Sequence, residues 1–322
     1  MAGSNIAIGN IGLQAAEEER PRGYALQRTL RQLLRKPLGV IGFAILACLV
    51  VMAVGAPVVQ RYEPNETFIK ANPDYNPSST DFFHTNAHDA TVLAAKDQPS
   101  VHHWLGTDDG GRDIWSRIVW GTRRSLEIGV TSLAIAVAVG AMLGIVSGYF
   151  GGKIDTLMQR FLDAMQAFPP LLILILLATT FELNVRNLIF GLAFVGVPQV
   201  SRLIRGTVLS LREMPFIEAG RVIGASDLRI MVRHILPNTA ASLIVVFTIG
   251  IGTVIIAEAS LAFLALTPPG VSWGQMLIAG VGFINVSPWQ AVFAGAAITL
   301  AVLSFNLMGD ALRDILDPRL RI

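Results

Sequence analysis

From Ile128 to Gly152 the chain contains no charged side chain. At 1.5 Å per residue, such a run is long enough to cross roughly 30 Å of hydrocarbon. Further long apolar runs occur at Leu38–Val59, near 157–181, between Arg186 and Arg202, over Asn238–Ala257, and onward from Pro288. In lipid each run must satisfy its backbone polar groups internally, which selects helix. The chain is 52% hydrophobic and only 15% charged, and its charges fall mainly between these runs. The expected fold is an all-α membrane protein with six transmembrane helices.

The order of charges sets the expected topology. Residues 1–37 form a polar leader in which Arg20, Arg22, Arg28, Arg31, Arg35 and Lys36 precede the first span. Basic residues before a span favour the cytoplasm. The run at 38–59 exceeds an ordinary signal core and further spans follow it, so it reads as a retained anchor. Residues 60–124 form an external section whose first part, 60–101, shows no sustained periodicity. Its second part places Ile114, Trp115, Ile118 and Val119 on one face, which predicts a short interfacial helix with Trp115 and Trp120 near the headgroups. Residues 125–312 carry the five remaining spans and a polar connector at 206–236. The tail, 313–322, contains Arg313, Arg319 and Arg321 and belongs in the cytoplasm with the N-terminus.

Several chemistries find little support. Cys48 is the sole cysteine, so an intramolecular disulfide and a cysteine cage are impossible. Asp108 and Asp113 lie near His102 and His103 without a diagnostic ligand spacing, and local hydrogen bonding or ion pairing accounts for them better than a metal. The formal charge of +2 comes from residues flanking spans and points to no nucleic acid. GYFGGKI has the wrong glycine placement for a phosphate loop, and Ile154 follows Lys153 where Ser or Thr is required.

Within the spans, Gly140, Gly144, Gly148 and Gly152 recur every four residues, placing a narrow stripe on one helix face that suits close helix packing. Asp163 lies early in the third span, near the cytoplasmic side, and Pro169-Pro170 is expected to bend its axis or open its first turns. Gly191, Gly196 and Pro198 interrupt the fourth, so irregular backbone and a pathway wall are expected there. Nineteen rises from residue 239, about 28 Å, place Glu258 near the external boundary, where an interfacial hydrogen bond and a gate or substrate contact are its alternative readings. The sequence LTPPGVSW, 266–273, turns the chain. The span interiors offer few polar groups, which suits a weakly retaining route better than tight recognition.

The connector from Pro215 to Asn238, PFIEAGRVIGASDLRIMVRHILPN, is too charged for hydrocarbon. Phe216, Ala219 and Ile223, then Leu228, Met231, Val232 and Ile235, have the spacing of two short amphipathic helices. Pro215 suits a first turn, Ser226 suits a cap, and Pro237 is expected to end the segment. The alternatives are a solvated loop and a docking element.

This connector resembles the EAA loop of inner-membrane permeases in ATP-driven, binding-protein-dependent importers of the dipeptide, oligopeptide and nickel family. The resemblance is carried by Glu218, Ala219, Gly220, Gly224, Leu236 and Pro237, with Gly220 and His234 departing from the general pattern. Gly106-Thr107-Asp108, Gly111-Arg112-Asp113, EASLAFLALTPPGVSWGQML and SFNLMGDALRDILDPR also resemble the second permease subunit of that family, so the likeness covers most of 104–318. Ala262 and Ala265 stand where Ser and Gly are usual.

The resemblance implies a type I importer permease fold in the bacterial inner membrane, with residues 216–236 as coupling helices. It also implies as partners a homologous permease, two ATP-binding subunits, an extracytoplasmic substrate-binding protein and membrane lipid. The chain itself would be no enzyme and hold no cofactor, with ATP and magnesium in the partner ATPases. Dipeptides or oligopeptides are the expected cargo and nickel the alternative. An ion-driven transporter would leave the EAA-like loop unexplained, and a membrane enzyme lacks an HExxH or Gly-x-Ser-x-Gly motif.

Overall fold

The computed structural model describes residues 36–71 and 91–316. The leader up to Arg35, the middle of the expected external section and the last residues of the tail lie outside the described residues. The chain opens with α1 (Pro37–Val54) and α2 (Ala56–Val59), then a two-stranded antiparallel pair, β1 (Ile69–Ala71) and β2 (Thr91–Leu93), with Ile69 opposite Leu93. Next come α3 (Ile114–Phe150), α4 (Gly152–Gln166), α5 (Pro170–Thr180), α6 (Val185–Leu211) and α7 (Pro215–Val222). The rest consists of α8 (Asp227–Ile230), a π turn (Met231–Ile235), α9 (Leu236–Phe263), α10 (Trp273–Val281) and α11 (Trp289–Leu316).

Among the described residues, five helices are long and apolar enough to cross a membrane, counting Asp227–Phe263 as one. The sixth expected span is broken: α4 and α5 meet at 78°. The cause is local, because the Pro169-Pro170 pair excludes helical continuation. With 11 residues, α5 rises only about 16 Å and cannot cross hydrocarbon alone.

Three expectations are corrected. The separate interfacial helix at Ile114–Val119 does not exist, because these residues are the first turns of the 37-residue α3. Asp113 caps that helix by accepting from the Ser116 N–H at 2.9 Å, and nothing between Trp120 and Ile128 breaks it. At about 55 Å, α3 exceeds the hydrocarbon thickness, so one end projects. The fourth span is not irregular: α6 continues through Gly191, Gly196 and Pro198 for 27 residues.

Nor does Pro237 end the connector. It lies in the first turn of α9, and helix runs unbroken from Asp227 to Phe263. Proline has no N–H for an i−4 carbonyl, and the ladder adapts immediately before it. Leu236 N–H reaches back to the Met231 carbonyl across the π turn, and the Asn238 side-chain amide donates to His234 O at 2.6 Å.

The long helix α3 is the centre of the packing, lying along α6 on one side and against α9 and α1 on others; α11 packs between α9 and α1. Ile118, Leu133, Ala136, Ile251, Ile255 and Trp273 belong to the main apolar core. Between α9 and α10 the chain reverses through Ala265, whose φ is 58°. A Cβ in the left-handed region costs roughly 1–2 kcal/mol, so Ala265→Gly is expected to stabilise the protein by about 1 kcal/mol. Thermal unfolding of the detergent-purified protein measures this, and an unchanged or lowered midpoint would show that the turn carries no such strain.

Candidate functional site

The connector is built in two faces. Pro215 opens α7 and Ser226 caps α8 by accepting from the Arg229 N–H. Between them Gly224 has φ +79°, while Gly224 N–H donates to Arg221 O and Ala225 N–H to Gly220 O, both at 3.0 Å. These are the two bonds of a Schellman termination, which needs a residue that accepts positive φ. The inward face consists of Ile217, Ile230 and Ile235, fully buried in a core with Tyr149, Ile204 and Val208. Each such burial contributes about 1.5–3 kcal/mol relative to exposure.

This inward set differs from the apolar positions that helical spacing singles out. Phe216, Ala219, Ile223, Leu228 and Val232 point away from the bundle, and only Ile235 of those positions is buried. Val222 and Ile223 are 81% and 83% exposed. Glu218 and Leu236-Pro237 are also exposed, whereas Gly220 faces inward toward Ile230. A Cβ at Gly224 would meet nothing within 4 Å. The connector therefore presents an open surface of apolar side chains interspersed with Glu218, Arg221 and Arg229.

Charged side chains fix this element to the bundle. Tyr149, at the end of α3, donates its hydroxyl to Asp227 Oδ1 at 2.6 Å, and the Arg221 guanidinium lies 5.3 Å from the Tyr149 ring centroid. Nearby, Arg205 on α6 grips Asp155 on α4 through two bonds of 2.6 Å. Ser147 donates to the same carboxylate, and Arg212 donates to Gly148 O at 3.1 Å. Asp163 pairs with Arg202 at 2.6 Å on the surface. Sequence spacing pointed to none of the Tyr149 or Arg205 contacts; the available signal was a phenol ending an apolar span opposite a capped, acidic helix start.

The glycine stripe faces α6. A Cβ on Gly140 would lie 2.7 Å from Val200 Cβ, one on Gly144 2.5 Å from Ser201 O, and one on Gly148 2.9 Å from Val208 Cβ. Two helices can approach this closely only where side chains are absent. Gly152 has left the stripe: its φ is +55° and a Cβ would touch nothing.

At the opposite end of the bundle, Asp108 accepts from the N–H groups of Gly110 and Arg112 and from Arg112 Nε at 2.8 Å, with Arg117 Nε 3.3 Å away. Asp113 accepts from Ser116 and has His103 Nδ1 at 2.9 Å. Both carboxylates thus organise the start of α3. Glu258 lies beneath α10 and is only 2% exposed. Its Oε1 makes no hydrogen bond among the described residues, and Ser272 and Arg124 are the polar groups that face it. Gly274 admits it, since a Cβ there would stand 3.3 Å from Oε2.

Two cavities lie between α6 and α9. The larger, about 640 Å³, runs from Gly196 past Leu203, Thr207 and Ser242 to Arg313. The smaller, about 390 Å³, reaches from Gly196 to Gln166 and Pro170 at the α4–α5 bend. They share Gly196, Gln199, Thr253 and Val254. Glu258 lines neither.

Comparison with known proteins supplies the class. Residues 140–322 match the family of binding-protein-dependent transport system inner membrane components, and residues 25–78 match the N-terminal transmembrane domain of oligopeptide transport permease C. The second match extends the likeness through α1, ahead of the region where sequence motifs were evident. A dipeptide transport system permease protein DppC from Alkalihalophilus pseudofirmus is 38% identical, covering 92% of this chain and 90% of the relative. A putative peptide transport system permease protein of Brucella suis is 36% identical, covering 91% and 92%. A glutathione transport system permease protein GsiD of Escherichia coli is 45% identical, covering 69% and 74%. A solved structure of the MetNI methionine ABC transporter in inward-facing conformations is 18% identical, with a TM-score of 0.51, covering 62% of this chain and 96% of that one; it shares the fold. A multi-pass helical bundle with this fold, matched over most of its length by such relatives, places the chain in the family of binding-protein-dependent inner-membrane permeases, as a DppC/OppC-like subunit of an ABC importer and not an enzyme.

Proposed function

We propose that the chain lines half of the translocation pathway of a short-peptide importer and receives ATP-driven movement through residues 216–236 on the cytoplasmic side. The observation that carries this reading is the outward apolar surface of Val222, Ile223, Leu228 and Val232, which has no covering element among the described residues. Exposed apolar groups clustered on a polar loop fit a protein partner. Two ATP-binding subunits, a homologous permease and an external substrate-binding protein complete the assembly. The π turn and unbroken helix from Asp227 to Phe263 support a mechanism in which displacement of α8 moves the same rod that forms one wall of both cavities. Coupling of this kind requires two arrangements with different contacts, which a rigid rod transmits from loop to wall.

Cargo with peptide bonds is supported by the names of the relatives, which specify dipeptide, peptide or glutathione transport. The cavity walls carry neutral hydrogen-bonding groups and, among the described residues, no cluster of metal-ligating side chains, a better fit to peptide than to nickel. Glu258, buried away from the cavities, is assigned a latching role between α9 and α10. Uptake into vesicles containing the assembled transporter tests these assignments. A labelled dipeptide should be displaced by excess dipeptide or tripeptide and unaffected by nickel, and Glu258→Gln should slow uptake without loss of assembly. Displacement by nickel alone would overturn the cargo assignment, and normal uptake by the Gln variant would overturn the latch.

A further inference from the structure

The level at which the two cavities meet carries two exposed polar side chains in mid-helix. Gln199 lies near the middle of α6, about 21 Å along the axis from Val185, and is exposed. Thr253 on α9 is exposed at the same level, since both line both cavities. Neither side chain makes a hydrogen bond to a described residue. Three other hydroxyls of the same helices are committed, Thr248 to Ile244 O, Ser260 to Ile256 O and Thr207 to Leu203 O, while Ser201 Oγ is buried on α6 without a partner among the described residues. Gln275 and Gln290 likewise use their amides on neighbours. Beside Gln199, Pro198 has no N–H to offer the Phe194 carbonyl, and Phe194 also lines the smaller cavity. Gln166, at the far end of that cavity, adds a second carboxamide with no bond to a described residue.

An unpaired carboxamide facing hydrocarbon at mid-helix is costly. Gln199 must therefore meet water, a partner chain or cargo. The cavity volumes beside it favour a wet surface, and the kind of group selects the ligand. A carboxamide both donates and accepts, a threonine hydroxyl does the same, and a proline-freed carbonyl accepts; an amide bond offers the matching N–H and C=O. Among the described residues, the only charged side chain lining either cavity is Arg313, at the mouth of the larger one. A site of this composition reads backbone and leaves side-chain identity and terminal charge unread.

We propose that Gln199 and Thr253 form a polar belt across the pathway that hydrogen-bonds the backbone amides of passing peptide, giving sequence-independent passage with low retention. This rests on the pathway reading given under Proposed function, and the test separates the two. The full transporter, with binding protein and ATPases, is reconstituted into vesicles, and import of trialanine is compared with import of its N-methylated counterpart. Gln199→Leu with Thr253→Val should reduce trialanine import about tenfold, the loss of roughly one net hydrogen bond, with complex assembly intact. The N-methylated peptide should be imported slowly by the wild type and lose little more in the variant. In a Cys48→Ala background, Gln199→Cys should react with a water-soluble thiol reagent.

Labelling of the Gln199→Cys thiol together with unaltered trialanine import by the Leu/Val variant would overturn the belt and leave the pathway standing. An unreactive thiol at that position, with dissociation of the permease pair in the Leu/Val variant, would place Gln199 in the subunit contact and overturn both. Failure of the wild type to import trialanine would likewise remove both. Equal losses for the two peptides would show a steric effect and overturn the amide contact.

Discussion

Gly144→Leu is expected to prevent stable folding of the α3–α6 pair and, with it, recovery of an assembled transporter. A first side-chain atom at this position would already lie 2.5 Å from the backbone oxygen of Ser201 and 3.1 Å from Arg205 N. Backbone cannot swing aside as the end of a flexible side chain can. Overpacking typically costs about 1–3 kcal/mol, and a branched side chain driven into a backbone carbonyl belongs at the top of that range or above it. The disturbance would reach the Arg205–Asp155 pair, which sits one turn along on the same helix face and joins α4 to the bundle. Gly206→Ala is the control: Gly206 is helical, exposed, and an added methyl there would have nothing within 4 Å. It should be neutral or stabilising by up to about 1 kcal/mol. Size-exclusion chromatography and thermal unfolding of the two variants read this directly. Normal assembly of Gly144→Leu would mean that α3 and α6 stand farther apart in the working protein.

The second large effect is expected at the connector. Ile223→Asp combined with Leu228→Asp places two charges on its outward surface while leaving the inward Ile217, Ile230 and Ile235 untouched. The substituted positions are 83% and 68% exposed, so permease stability should change by less than about 0.5 kcal/mol. Desolvating a carboxylate against an apolar partner surface costs far more than that, and transport should fall by at least about a hundredfold as the ATPases dissociate. Co-purification of the ATP-binding subunits, measured beside permease stability, separates lost docking from lost folding. Retained subunits with normal uptake would show that this surface is simply solvated.

These two elements also show what could be read from the chain alone. The glycine spacing at 140, 144 and 148 defines a face, but nothing local says that α6 covers it; that pairing joins residues about sixty positions apart. In the connector, Ser226, Pro215 and Gly224 act through bonds within a few residues, and such caps and turns are legible. The inward isoleucines are not, because two apolar stripes share the same short helices and only tertiary packing decides which one faces the bundle. Proline misled in one direction. Pro169-Pro170 does break helix, whereas Pro198 and Pro237 sit within helices whose neighbours and π turn absorb the missing donor. A count of helix rises from residue 239 gives the depth of Glu258 along an axis and cannot reveal that α10 folds over it. Gln199 and Thr253 are each unremarkable in the sequence until α6 and α9 are brought together.

Contact between residues 216–236 and the ATP-binding subunit is the step on which coupled transport depends. A photo-crosslinking amino acid in place of Ile223, in the complete transporter in membranes, tests it most directly. The expected result is a crosslink to the ATP-binding subunit whose yield changes between nucleotide-free and ATP-bound states. In a Cys48→Ala background, the thiol of an Ile223→Cys variant should also resist an impermeant reagent added outside intact cells. Efficient labelling of that thiol from outside, with no crosslink to the ATP-binding subunit in either state, would contradict the cytoplasmic docking of this connector.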